Sequence, residues 1–236
     1  MHKTSAQWES GAIPGPELIA GVGTLLDEMA NAGVLLGAEG LRASAHGVRL
    51  RFAAGTRTVI NGPFAGDNEL AAGFSILRAR SLEEAIEWAT RLADALGDVD
   101  IDIRPVTEPW DIGMGPAPAD LSTQRFMILR KATPTTEAGG PLAGARQAKL
   151  ARLIDETTSA GIHIVTETMR PSRRGRRYRN SRDGVTMYDG PFIETKEMLG
   201  GYVVVSSASI EEAEGWAVRY LYAVEADEID VRELES

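Results

Sequence analysis

The chain has no cysteine. Disulfides, thiolate metal sites and a cysteine nucleophile are excluded together, and the composition fits a reducing compartment. No stretch approaches the roughly 20 apolar residues of a membrane span, and residues 1–15 hold no apolar run of the signal-sequence kind. Histidine is scarce: His2, His46 and His163 are the three, and none stands in a metal-binding spacing such as His-Glu-x-x-His. Gly-x-Ser-x-Gly, P-loop and dinucleotide fingerprints are missing. Gly21-Val22-Gly23 lies inside a helical pattern and lacks the third glycine. Positive charge is in deficit, with a formal net charge of −9, so the long-range field disfavours nucleic acid and anionic membranes. The expectation is a soluble, intracellular, cytoplasmic protein with no metal, no cofactor and no membrane partner.

What is present is a repeat. At 236 residues the chain could be one large or two small domains. One offset of 128 carries Gly33 onto Gly161, Glu39 onto Glu167, Arg42 onto Arg170 and Gly62 onto Gly190. It also carries Phe74 onto Tyr202, Ser81 onto Ser209, Trp88 onto Trp216 and Arg104 onto Arg232. Helical spacing predicts a helix over 17–31, with Leu18, Val22, Leu25, Leu26 and Met29 on one face. Ser81 with Glu84, and Ser209 with Glu212, are capping boxes that open two more helices. A further helix is expected over about 142–159. Strands are expected at 34–36, 48–52, 58–60, 73–77, 99–104, 125–130, 162–165, 185–188, 201–205 and 229–234. Each half reads strand–helix–strand–hairpin–strand–helix–strand, with helices on one face of an antiparallel sheet. Residues 108–122, rich in Pro and Gly, read as a linker between units at 1–107 and 123–236.

The most specific run is Tyr188-Asp189-Gly190-Pro191-Phe192-Ile193-Glu194-Thr195-Lys196-Glu197, followed by Leu199-Gly200-Gly201-Tyr202. It resembles the YCII-related family, in its branch with the Asp-Gly-Pro-Phe motif, here as a tandem repeat. The resemblance implies an α+β fold in which two tandem ferredoxin-like units form an intramolecular dimeric α+β barrel. It also implies an intramolecular pseudo-dimer, with a further homodimer left open. Members of that branch are linked to alternative sigma factors, which suggests a transcription-associated or signalling interaction protein as an alternative function. Some members are held to use a His–Asp pair; no such pair can be placed in this sequence.

The candidate chemistry lies in the second unit. Asp189, Glu167 and Lys196 are the candidate catalytic residues, because a carboxylate beside a lysine can be tuned for acid–base work. Arg170, Glu194 and Tyr202 are the candidate ligand-binding residues, for a small polar or anionic ligand. The competing reading is plain: Asp before Gly-Pro is an ordinary turn-former, and the other charges form a solvated face. The first unit has Asn61, Gly66 and Asn68 where the second has Asp189, Glu194 and Lys196, so it would complete the barrel rather than react. Seven arginines, Arg170, Arg173, Arg174, Arg176, Arg177, Arg179 and Arg182, crowd one stretch with Tyr178. They read as a charged hairpin docked on the chain's own acidic helices, with Arg173, Arg174 and Arg176 mostly exposed, in preference to a nucleic-acid site.

One element is short of sequence. The strand at 125–130 has its equivalent at −3 to 2, ahead of Met1, and residues 2–10 show no clean apolar alternation. The slot in the first sheet is therefore expected to be filled by the segment near Met1, by the linker, by a second chain, or by residues upstream.

Overall fold

The two halves of the chain are built from the same run of elements. The first holds β1 (His2–Lys3), α1 (Ala6–Glu9), α2 (Pro16–Asn31), β2 (Leu35–Gly40), β3 (Val48–Ala53), β4 (Thr56–Asn61), β5 (Ala71–Ala79), α3 (Leu82–Leu96) and β6 (Ile101–Pro105). The second holds β7 (Gln124–Lys131), α4 (Pro134–Ala138), α5 (Gly144–Ser159), β8 (His163–Thr168), β9 (Arg176–Ser181), β10 (Gly184–Asp189), β11 (Leu199–Val205), α6 (Ile210–Ala223) and β12 (Glu228–Val231). The computed structural model describes every residue except 54, 67–68, 98–99, 141, 193–197 and 236.

Local chemistry sets the helix starts. Ser81 Oγ accepts from the Glu84 N–H, and Ser209 Oγ from the Glu212 N–H, as the capping boxes require. Two short helices escape the sequence pattern. Both α1 and α4 are single turns capped by Ser5 and Thr133, too short to show a 3.6-residue period.

The sheets are not one per unit. One has the order β10-β9-β12-β1-β11-β2, the other β4-β3-β6-β7-β5-β8. Each takes four strands from one half and the first two from the other, so the halves exchange their opening strands. The slot in question is occupied: β1, at Met1's doorstep, lies between β12 and β11, as β7 lies between β6 and β5. The helices follow the exchange: α2 packs on α6 and α3 on α5. The two sheets face each other across Phe74, Ile76, Met127, Leu129, Leu41 and Tyr202, with Phe74 and Tyr202 ring centroids 4.5 Å apart.

Buried charge clasps both exchanges. Lys131 of β7 bonds Asp102 at 2.8 Å and also Glu69, while Arg49 grips Asp102 through two bonds at 2.6 and 2.9 Å and Glu69 at 2.7 Å. In the other sheet Lys3 of β1 bonds Asp230 at 3.0 Å, and Arg177 grips Asp230 at 2.6 and 2.9 Å. All these side chains are buried. The matched residues obey the 128 offset, Lys3 onto Lys131 included. Burial would raise the Asp230 carboxyl, but Arg177 and Lys3 overcome it and hold it at about 2.

The clasp has a measurable cost of removal. Lys131→Met takes a buried cation away from Asp102 and Glu69, and urea unfolding is expected to show a loss of about 3–5 kcal/mol. A loss below about 1 kcal/mol, the range of exposed pairs, would show that the lysine does not hold the exchanged strand.

Candidate ligand site

The Gly-Pro-Phe turns are the first place to look, and their geometry is architectural. A Cβ on Gly62 would stand 1.9 Å from the Ser44 carbonyl oxygen, and one on Gly190 1.8 Å from that of Ser172. Only glycine allows so close an approach. The Phe64 and Phe192 N–H groups donate to Ser44 Oγ at 3.2 Å and Ser172 Oγ at 3.0 Å. Each ring lies beneath the arginine of its clasp, with Arg49 4.8 Å from Phe64 and Arg177 4.5 Å from Phe192. The short helices complete the arrangement: Glu9 accepts from the Ser44 N–H at 2.8 Å and Glu137 from the Ser172 N–H at 3.0 Å.

Asp189 ends β10 on the outer edge of its sheet. Its side chain is 72 % exposed and pairs with Arg176 at 3.2 Å. It does not line the cavity described below. Glu194 and Lys196 lie outside the described residues. Glu167 sits on β8, paired with Phe74, facing the neighbourhood of Tyr202. Arg170 and Tyr202 both line the cavity described below. His163, in β8, bonds Thr166 at 3.0 Å, and partial burial lowers its pKa. Among the described residues no group of three or more His, Asp or Glu could hold a metal ion, and no helix is long and apolar enough to cross a membrane.

The arginine stretch is largely spent within the chain. Arg176 bonds Asp189, Glu211 and Glu214, which leaves its side chain only 21 % exposed. It is thus more enclosed than the expectation for Arg173, Arg174 and Arg176, because three carboxylates converge on it. Arg173 and Arg174 are exposed, as expected. Arg170 and Arg174 pair with Glu233, Arg173 bonds the Glu137 carbonyl, and Arg179 bonds Glu228.

The cavity lies where the repeat is uneven in its opening strands. Strand β7 runs for eight residues and pairs along the length of β5, from Ala71 to Ala79. Strand β1 has two residues and pairs only with Leu199 and Gly201 on β11. Beyond Met1, no described strand pairs with that edge of Tyr202–Val205. A cavity of about 580 Å³ opens there, walled by β11, β12 and the inner face of α6 with Ala213, Trp216 and Tyr220. Phe74 and Met169 close it towards the opposite sheet, and Arg170, Arg174 and Glu233 stand at one mouth. The matching space beside β7, lined by Ser75, Leu77, Trp88 and Ile128, holds about 20 Å³. Trp216, Met1 and Ala213 were not among the candidate site residues read from the sequence, where Trp216 stood out only as the match of Trp88.

The YCII-related domain matches residues 13–107 and again 124–234. The chain belongs to the YCII-related family. No curated protein and no solved structure matches it. The two YCII matches differ at their starts, since the second takes in β7 whole and the first begins after β1 and α1. In this YCII tandem the family fold is paired with one short opening strand.

Next to Met1, His2 is buried with Nδ1 2.8 Å from the hydroxyl of Tyr220, a cavity-lining residue. Burial first, then the Met1 ammonium, Arg104 and Lys3, push its pKa down to about 3. A lowered folded pKa contributes stability that is present above the ordinary value near 6.5 and is lost as pH falls towards 3. Wild-type stability is expected to gain a slope of up to about 1.4 kcal/mol per pH unit below 6.5 from this residue. In His2→Gln that part of the slope disappears from urea midpoints taken across the range; an unchanged slope would place the imidazole in water.

The turn supplies a second contrast. Gly190→Ala forces a Cβ into backbone and is expected to cost about 1–3 kcal/mol, whereas Asp189→Asn costs no more than about 1 kcal/mol. Thermal unfolding of the two variants orders them; equal losses would contradict the architectural reading of the motif.

Proposed function

We propose that this YCII tandem is a binding protein whose ligand occupies the cavity between β11, β12 and α6. The observation that carries the reading is the inequality of matched spaces, about 580 Å³ against about 20 Å³, in two halves that otherwise follow one plan. Cavities of a few hundred cubic ångströms with an apolar wall and a few convergent polar groups are the usual form of a ligand site. Tyr202 and Trp216 supply aromatic surface, and Arg170 and Arg174 supply positive charge at the mouth, tempered by Glu233. This favours a ligand with an apolar body and an anionic or polar end. Burial raises the Tyr202 phenol, which therefore stays neutral and offers a hydrogen bond rather than a charge.

Acid–base turnover finds less support. Asp189 is engaged by Arg176 on the outer surface, so binding without chemistry is the better reading. Membership of the Asp-Gly-Pro-Phe branch and a role in signalling are compatible with a binding protein, and neither adds a residue to the site.

Trp216 makes the reading testable. Ligands that enter are expected to raise the melting temperature and change tryptophan emission, and the emission change is expected to vanish in Trp216→Phe. Short- and medium-chain carboxylates are the first probes. A melting shift that persists in Ala213→Phe, whose ring would obstruct the cavity, would place the ligand elsewhere.

A further inference from the structure

The two sheets end in four edge strands, β10 and β2 in one and β4 and β8 in the other. An edge strand presents a row of unpaired N–H and C=O groups, a template for another chain. Two of the edges are blunted. The β2 ladder shifts register between Val204 and Val205 of β11, and the β8 ladder between Ile76 and Leu77 of β5. The outer sides of both strands are then bonded at one end by the chain that follows β6 and β12. The Thr107 N–H donates to the Gly40 carbonyl, and the Glu235 N–H to the Thr168 carbonyl, each at 2.8 Å.

The other two edges lack these devices. Strands β4 and β10 pair with β3 and β9 over all six residues without a break. Among the described residues no strand lies on their outer sides. Neither contains proline or lysine, the residues that commonly guard an edge. Both expose apolar side chains, Val59 and Ile60 on β4, Met187 and Tyr188 on β10.

Charge separates the two. On β4 the charge is within the strand, at the exposed Arg57, while Asn61 at its end is neutral. On β10 the pattern is inverted. The 128 offset puts Val185 in the place of Arg57, and the run from Gly184 to Tyr188 is uncharged. The turn before it holds Arg182 and Asp183, both exposed and in no ion pair among the described residues. The far end holds Asp189 in the place of Asn61, its side chain 72 % exposed although Arg176 reaches it. Two copies of such an edge related by a two-fold axis pair antiparallel, each the complement of the other. The Arg182 end of one strand then lies beside Asp189 and Tyr188 of the other, twice in the interface. Asp189 offers a carboxylate. Tyr188 offers a ring of the kind that Arg179 already approaches at 5.7 Å. The same operation on β4 joins no unlike charges and brings two arginines into the paired stretch.

We propose that β10 is a dimerisation edge whose occupant is β10 of a second copy of this chain, laid antiparallel. Two six-stranded sheets then run on as one across the two-fold axis. Main-chain hydrogen bonds supply affinity, Met187 and Tyr188 lose exposed surface, and Arg182 with Asp189 fixes the direction. The contact is one strand long, so its dissociation constant is expected to be roughly micromolar. This edge is separate from the cavity and is tested without reference to it.

Sedimentation velocity of the intact protein across the micromolar range is expected to show a monomer–dimer equilibrium. Met187→Lys puts a guard on the edge and should abolish the dimer, while the matched change on β4, Val59→Lys, should leave it unchanged. Both side chains are exposed, and melting curves establish that the variants are folded. Arg182→Glu and Asp189→Lys, each alone, should weaken the dimer by roughly tenfold or more, because unlike contacts become like ones. The two together exchange the charges and should return it to near wild-type strength, which a damaged hairpin would not. A monomer at every concentration would overturn the proposal. So would a dimer that survives Met187→Lys, one lost to Val59→Lys, or a double reversal no stronger than the single ones.

Discussion

A buried lysine beside a buried aspartate governs the architecture. An ammonium group in a sheet's interior is tolerated only with a carboxylate in bonding reach. Lys131 belongs to the second half and its aspartate, Asp102, to the first; Lys3 belongs to the first and Asp230 to the second. Neither lysine can leave its partner without stranding charge, so the opening strand of each half is held in the sheet of the other. The register follows as well, because a slip of one residue would turn the lysine to the opposite face. The Gly-Pro-Phe turns serve the same clasp, since each phenylalanine ring supports the arginine that holds the aspartate.

That exchange explains why an uneven repeat makes a cavity and not a frayed terminus. Where β7 runs through, the space between neighbouring strands is filled and both faces are sealed. Where β1 supplies only His2 and Lys3, the clasp is still made but the strand stops. The clasp holds β11 and β12 on either side of a common neighbour, and the cavity lies between them. Its walls come from α6, β11 and β12, and its floor from Phe74 and Met169 of the other sheet.

Much of this was legible in the sequence. The 128 offset, the capping serines and the alternating strands gave the order of elements and the shortage at the first strand. The resemblance to the YCII-related family gave the paired α+β architecture. The exchange was not legible, because alternation shows which face of a strand is buried and not which sheet it joins. The site was legible in part. Tyr202 and Arg170 are both among the cavity-lining residues, while Asp189 was read from a motif whose geometry serves the turn and an exposed arginine pair. Trp216 and Ala213 look from sequence like any inward residues of an amphipathic helix, and in the structure they line the cavity.

The exchange of opening strands is tested most directly by the second half on its own. Residues 123–236 contain a complete set of elements but place β7 and β8 in the other half's sheet. Sedimentation equilibrium of that fragment, with unfolding followed over a range of protein concentrations, separates the alternatives. A fragment that is either unfolded or a dimer whose stability rises with concentration is the expected result. A folded monomer with a cooperative, concentration-independent transition would mean that β7 and β8 close on their own sheet, and the reciprocal clasp would not be what holds this protein together.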